Sequence, residues 1–275
     1  MSHYQLTASG IAFQTYGEGK PLVMLRGLGR NIRHWLGFDK RLASQYQIIV
    51  IDARGLGKTL KKMTFMTSLW DLAKDVKDVL DHLNITRAHI LGVSLGGMVA
   101  LAFGVKYAER CSSIIVLNTS IGGIRKLRIY PRVLGALGLA GIRNNSRIEL
   151  DLIHFLVGGE VDSARKLELA RIHQKIYETE SPVTQVVIKQ LLAAARFTPR
   201  KDLEKLKVKV LVVYGSDDRF VPQSNSEAIA QLIPCATVLR IDGAGHEISV
   251  DKADVLEDHL REWLNQDEKV FAPVQ

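Results

Sequence analysis

Residues 88–108 read Ala-His-Ile-Leu-Gly-Val-Ser-Leu-Gly-Gly-Met-Val-Ala-Leu-Ala-Phe-Gly-Val-Lys-Tyr-Ala. The opening His89–Gly92 is a short apolar run with strand character. Met98, Leu101, Ala102 and Val105 follow at helical spacing. The stretch therefore predicts a strand, a sharp turn through Ser94 and a helix. Gly92-Val93-Ser94-Leu95-Gly96 sits on that turn, which is the context a G-x-S-x-G pattern requires. Such a turn projects a serine oxygen from the sheet beside the unpaired N–H groups of a helix N-terminus. At ordinary glycine usage the bare pattern arises by chance in roughly one chain of this length in ten, so the partners of Ser94 must decide. Residues 88–105 also lack Asp, Glu, Lys and Arg, but four glycines, a serine and a strand-like start argue against a membrane span.

Outward from this stretch, apolar strands alternate with amphipathic helices. A hairpin around Gly10 is predicted for residues 3–17, then a buried strand at Pro21–Leu25 and a loop bearing Arg26-Gly27-Leu28-Gly29. A helix over 34–45, a strand at Gln47–Asp52 and a helix over 68–83 come next, the last with Leu69, Leu72, Ala73, Val76, Leu80 and Leu83 on one face. Ser113–Leu117 reads as another buried strand. The pattern implies a mostly parallel sheet covered by helices, an α/β fold. From about 120 to 206 no strand is predicted. Ser146-Arg147-Ile148-Glu149 is a capping-box pattern, and Ser181-Pro182 supplies an N-cap and first helical residue. The alternation resumes at Val208–Tyr214, a helix near 223–232, Thr237–Ile241 and a helix over 251–265, with a tail from Gln266 expected to fray. The expected organisation is a core of residues 1–120 and 207–275 with a helical cap inserted at 121–206, over strand ends where open α/β sheets bind ligands.

A serine hydroxyl needs a base, and the base an orienting acid. After Ser94, Tyr214-Gly215-Ser216-Asp217-Asp218 offers two acids, and Asp242-Gly243-Ala244-Gly245-His246 offers a base, each in a loop just after a predicted strand. A zinc reading of His246-Glu247 fails, because Val250 stands where the second histidine belongs. Gly57-Lys58-Thr59 imitates a P-loop ending, but Asp52 occupies the required glycine position. No dinucleotide fingerprint follows a strand, so neither cofactor nor metal is expected.

The order Ser, Asp, His and the spacing of these loops resemble the α/β-hydrolases with a helical cap, over roughly residues 10–265. The resemblance implies a nucleophile at Ser94, an acid at Asp218 (the fourth position of G-x-x-D, with Asp217 the alternative) and a base at His246. It implies oxyanion donors at the backbone N–H groups of Leu95 and Leu28, and a structural turn at Asp52-Ala53-Arg54-Gly55-Leu56-Gly57. The family's loop after the first parallel strand usually begins His-Gly, whereas this chain has Arg26-Gly27. Arg26 then has two readings: a positive charge that binds substrate, or an ion pair with an acidic neighbour such as Asp52. The activity implied is hydrolysis of a small ester-like substrate, a carboxylic ester, thioester or lactone, through an acyl-enzyme. Alternatives are hydrolytic C–C cleavage of vinylogous diketones on the same scaffold and a non-catalytic binding protein that keeps the fold.

Composition adds bounds. A chain of 275 residues, 47% hydrophobic and 24% charged, suits a globular protein with a sizeable core. Cys111 and Cys235 lack metal-ligand spacing, and Met1–Gly10 has no signal-peptide pattern, so a cytoplasmic location is expected. Net charge is +8, and residues 120–209 carry all of it, with 17 Lys/Arg against 9 Asp/Glu. Within Ile121–Arg147, Arg125, Lys126, Arg128, Arg132, Arg143 and Arg147 interleave with apolar residues. That segment is either a solvated face or a surface for an anionic membrane, an acidic carrier protein or an anionic substrate. No recognition motif supports nucleic-acid binding.

Overall fold

The computed structural model describes residues 3–122, 147–180 and 184–270. Eight strands form one sheet: β1 (Gln5–Leu6), β2 (Ala12–Tyr16), β3 (Lys20–Leu25), β4 (Tyr46–Ile51), β5 (Ala88–Val93), β6 (Cys111–Leu117), β7 (Val210–Gly215) and β8 (Ala236–Ile241). Their order is β1-β2-β4-β3-β5-β6-β7-β8, antiparallel at β1–β2 and β2–β4 and parallel elsewhere. The serine strand β5 lies inside the parallel block, with Gly92 beside Leu25 of β3 and Val116 of β6.

Alternation along each strand sends neighbouring side chains to opposite faces. Val23, Ile49, Ile90, Val116 and Val212 pack on one face against α2 (Leu69–His82) and α3 (Leu95–Lys106). Met24, Val50, Leu91, Leu117 and Val213 pack on the other against α1 (Phe38–Leu42) and the C-terminal helix. Both faces are therefore closed to water, as a parallel sheet requires. Helix α2 starts where expected, with Ser68 and Asp71 forming a reciprocal cap.

Between β6 and β7 the described residues hold α4 (Arg147–Leu156), α5 (Ser163–Glu180), α6 (Thr184–Arg196) and α7 (Arg200–Leu203), and no strand. Then come α8 (Ser224–Leu232), α9 (Ile248–Asp251) and α10 (Ala253–Val270). Three expectations change. The helix over 34–45 divides into a 3-10 turn at Ile32–Trp35 and α1, because Leu36 and Gly37 adopt left-handed φ of 51° and 91°. The helix over 251–265 is likewise divided at Lys252, and α10 extends into the segment expected to fray, as far as Val270. Ser146, Ser181-Pro182 and most of the basic Ile121–Arg147 segment lie outside the described residues. Among the described residues no helix is long and apolar enough to cross a membrane.

Candidate active site

Ser94 joins β5 to α3 at φ 54° and ψ −117°, a conformation that costs an L-residue on the order of 1–3 kcal/mol. The surroundings hold it there. Its N–H donates to the Leu117 carbonyl at 2.8 Å, and its own carbonyl accepts from the Thr119 hydroxyl at 2.6 Å. Side chains are missing where the elbow is tightest: a Cβ on Gly92 would lie 2.1 Å from the Gly96 carbonyl oxygen, and one on Gly96 would lie 2.4 Å from that of Leu25. The flanking glycines of the pattern are thus a packing requirement.

The acid and base loops leave β7 and β8 at the same edge of the sheet. His246 Nδ1 lies 2.9 Å from Asp218 Oδ2, and both side chains are almost fully buried, at 4% and 2% exposure. Asp218 Oδ1 accepts from the backbone N–H groups of Phe220 and Val221 at 2.7 and 2.8 Å. With both carboxylate oxygens committed, Asp218 is fixed as an acceptor of the Nδ1 proton, which leaves Nε2 with its lone pair. The Phe220 ring stacks on His246 at 4.7 Å. Asp217 faces elsewhere, binding Arg219 and the Gly159 N–H.

Ser94 and His246 line one cavity of about 510 Å³, part of it open to solvent. Its other walls include Leu28, Val93, Leu152, Leu156, Val187 and Phe220, so most of the surface offered to a ligand is apolar. Arg30, Tyr177 and Glu247 add polar groups. Of the two N–H groups expected to stabilise an oxyanion, Leu95 N–H opens α3 and has no acceptor within that helix. Leu28 lies in a loop whose Gly27 comes so close to Ser94 that a Cβ would sit 3.2 Å from the serine Cβ. Helices α5 and α6 secure this loop: Gln190 accepts from the Gly29 N–H at 2.8 Å, and the Tyr177 hydroxyl donates to the Gly29 carbonyl at 3.3 Å.

Arg26 pairs with Glu247, not with Asp52. Its Nη2 lies 2.6 Å from Glu247 Oε2, with side-chain exposures of 1% and 4%, and its guanidinium lies 4.7 Å from the centre of the Trp35 ring. Asp52 instead accepts from the N–H groups of Ile32 and Lys58 at 2.8 and 2.9 Å, while the Thr59 hydroxyl donates to the Asp52 carbonyl. The Asp52–Thr59 segment is therefore a structural turn. Burial pushes the Glu247 carboxyl upward, but Arg26 and Arg30 outweigh it and bring the pKa to about 2. Burial, reinforced by Arg30, His173 and Arg26, holds nearby His34 neutral, well below the usual imidazole range.

Sequence reasoning missed Asn118. At φ 46°, immediately after β6, its amide nitrogen donates to the carbonyls of Gly245 and His246 at 2.8 Å each, and its oxygen accepts from the Gly215 N–H at 2.9 Å. One side chain thus clamps the acid strand to the base loop. The only sequence signal was an Asn placed where a strand had to end. Among the described residues no group of three potential ligands could hold a metal ion.

A family model described as alpha/beta hydrolase fold matches residues 20–253. The chain is 26% identical over 270 residues to a Caulobacter segnis protein named "Putative carbamate hydrolase RutD", covering 94% of this chain and 97% of that one. It is 26% identical over 268 residues to the 2-hydroxy-6-oxononadienedioate/2-hydroxy-6-oxononatrienedioate hydrolase of Escherichia coli K12, covering 92% and 90%. Among solved structures, the enol-lactonase of Burkholderia xenovorans LB400 superposes with a TM-score of 0.81 at 20% identity, covering 96% of this chain and all of that one.

Proposed function

The chain belongs to the α/β-hydrolase family and is a hydrolase, and from that premise we propose that it is a serine hydrolase cleaving a carboxylic ester, thioester or lactone through an acyl-enzyme. One observation carries the proposal: Ser94 is held at a strained elbow in the same cavity as a histidine oriented by a buried aspartate. Ser94 Oγ attacks the carbonyl carbon as His246 Nε2 takes its proton, and Asp218 stabilises the imidazolium through Nδ1. The oxyanion is received by the N–H groups of Leu28 and Leu95, which cost no reorganisation because the loop and helix already hold them. His246 returns the proton to the leaving alcohol or thiol, and water repeats the cycle to release the acid. No step needs a metal or cofactor. The apolar walls at Leu28, Leu152, Leu156 and Val187 suit an apolar acyl or alkyl group.

Hydrolytic C–C cleavage of a vinylogous diketone is the second reading. It draws support from the relative named for dienedioate hydrolysis and from Arg30 on the cavity wall, a cation for an acidic substrate. A panel of esters, thioesters and lactones graded by acyl length and charge, run beside a vinylogous diketone, separates the two. Ester turnover with fluorophosphonate labelling of Ser94 supports the first reading. Diketone turnover without ester turnover replaces it with the second.

A further inference from the structure

Four of the nine large hydrophobic side chains exposed among the described residues are gathered in one place: Phe65 and Met66 on the loop before α2, and Ile188 and Leu192 on α6. Scattered apolar residues need no explanation, but a cluster does. Ile188, Leu192 and Arg196 stand at four-residue spacing and so share one helix face. Arg196 Nη2 donates to the Phe65 carbonyl at 2.7 Å and to that of Thr67 at 3.3 Å, and Lys189 Nζ lies 5.2 Å from the centre of the Phe65 ring. Loop and helix therefore form a continuous surface. Met66 is 81% exposed and Phe65 59%, values for side chains that protrude.

The two segments that carry the patch hold charge of one sign. Residues 53–67 and 184–198 contain Arg54, Lys58, Lys61, Lys62, Lys189 and Arg196, and no acid. Arg54 and Lys61 are drawn inward to Asp75, while Lys58, Lys62 and Arg196 lie at the surface. Protruding apolar tips within a basic field match an anionic bilayer: the tips enter the boundary between headgroups and acyl chains while the cations meet the phosphates. A second copy of this chain would have to bring its own cations against these, and a folded acidic partner would need a cleft for tips that already stand clear. The helix also links the patch to the site, since Val187 lines the cavity of Ser94 and Gln190 holds Gly29.

We propose that Phe65, Met66, Ile188 and Leu192, with Lys62, Lys189 and Arg196, form a docking surface for an anionic lipid bilayer. Docking there places α6, whose Val187 lines the cavity, at the interface, within reach of amphiphilic substrates. Binding is read by co-sedimentation with phosphatidylcholine vesicles with and without phosphatidylglycerol, so the result does not depend on which bond the enzyme cleaves. Wild-type protein is expected to sediment with the anionic vesicles at about 0.15 M salt, less at high salt, and not with the neutral ones. F65S/M66S is expected to weaken binding at least about tenfold, since two apolar side chains no longer leave water. Leu192→Glu, on the other element, is expected to do the same. Thermal melting of each variant separates lost docking from lost folding, and the loop-tip pair is expected to melt as wild type does. Three results overturn the proposal: no wild-type binding to anionic vesicles; binding unchanged in F65S/M66S and in a folded Leu192→Glu, which would place the contact elsewhere; or a dimer in light scattering that these variants dissolve.

Discussion

Removing either half of the Arg26–Glu247 pair leaves a buried charge in the loop that carries the candidate base, with a direct consequence for stability. Both side chains are at most 4% exposed, so water cannot compensate the survivor. Breaking such a pair from one side costs about 3–5 kcal/mol. The shift of Glu247 from 4.5 to about 2 gives the same scale, on the order of 3 kcal/mol. Arg26→Met and Glu247→Gln are each expected to lower the melting temperature by roughly 10 °C, at about 2–4 °C per kcal/mol for a chain of this size. Arg26→Met/Glu247→Leu, which removes both charges, should recover most of that loss. Thermal melting of the three variants reads the pair. Single losses below about 1 kcal/mol, or a double variant no more stable than either single one, would refute this account of it.

Three further outcomes test the site. Ser94→Ala is expected to lower kcat by about 10⁴-fold or more, and Ser94→Gly to be equally inactive yet raise stability by about 1 kcal/mol, because glycine tolerates φ 54°; a lower melting temperature for Ser94→Gly would count against stored strain. Asp218→Asn should cost on the order of 10⁴ in kcat, while Asp217→Asn, at a side chain that binds Arg219 and the Gly159 N–H, should cost less than about tenfold; the reverse result would move the acid by one residue. Asp251 accepts from the N–H groups of Gly158 and Gly245, joining the turn after α4 to the base loop, and burial raises its pKa to about 6. Because the folded value exceeds the unfolded one, its contribution to stability is full below about pH 4 and is lost as pH rises through 6, by up to about 3 kcal/mol. Denaturant titrations of wild type and Asp251→Asn should therefore diverge over that window in favour of the variant, and parallel curves would refute the assignment.

What the sequence determined by itself was whatever local spacing encodes. Continuous apolar runs placed the parallel strands, the 3.6-residue period placed helix α2, and the glycines around Ser94 marked the elbow, where a Cβ does not fit. The residues alone offered Asp217 or Asp218 as the acid and His246 as the base; the resemblance to the α/β-hydrolases implied Asp218, whose Oδ2 lies 2.9 Å from His246 Nδ1. The tertiary structure decided whatever depends on distant partners. Arg26 meets a carboxylate 221 residues away, Gly29 meets Gln190 across 161, and Asn118 clamps loops 97 and 128 residues further on. No periodicity records such contacts, because they arise when strand ends and helices are packed together and buried polar groups must find acceptors. The break at Leu36–Gly37 has the same origin: a locally helical segment yields to the path the chain must take from β3 to β4, and packing overrides propensity.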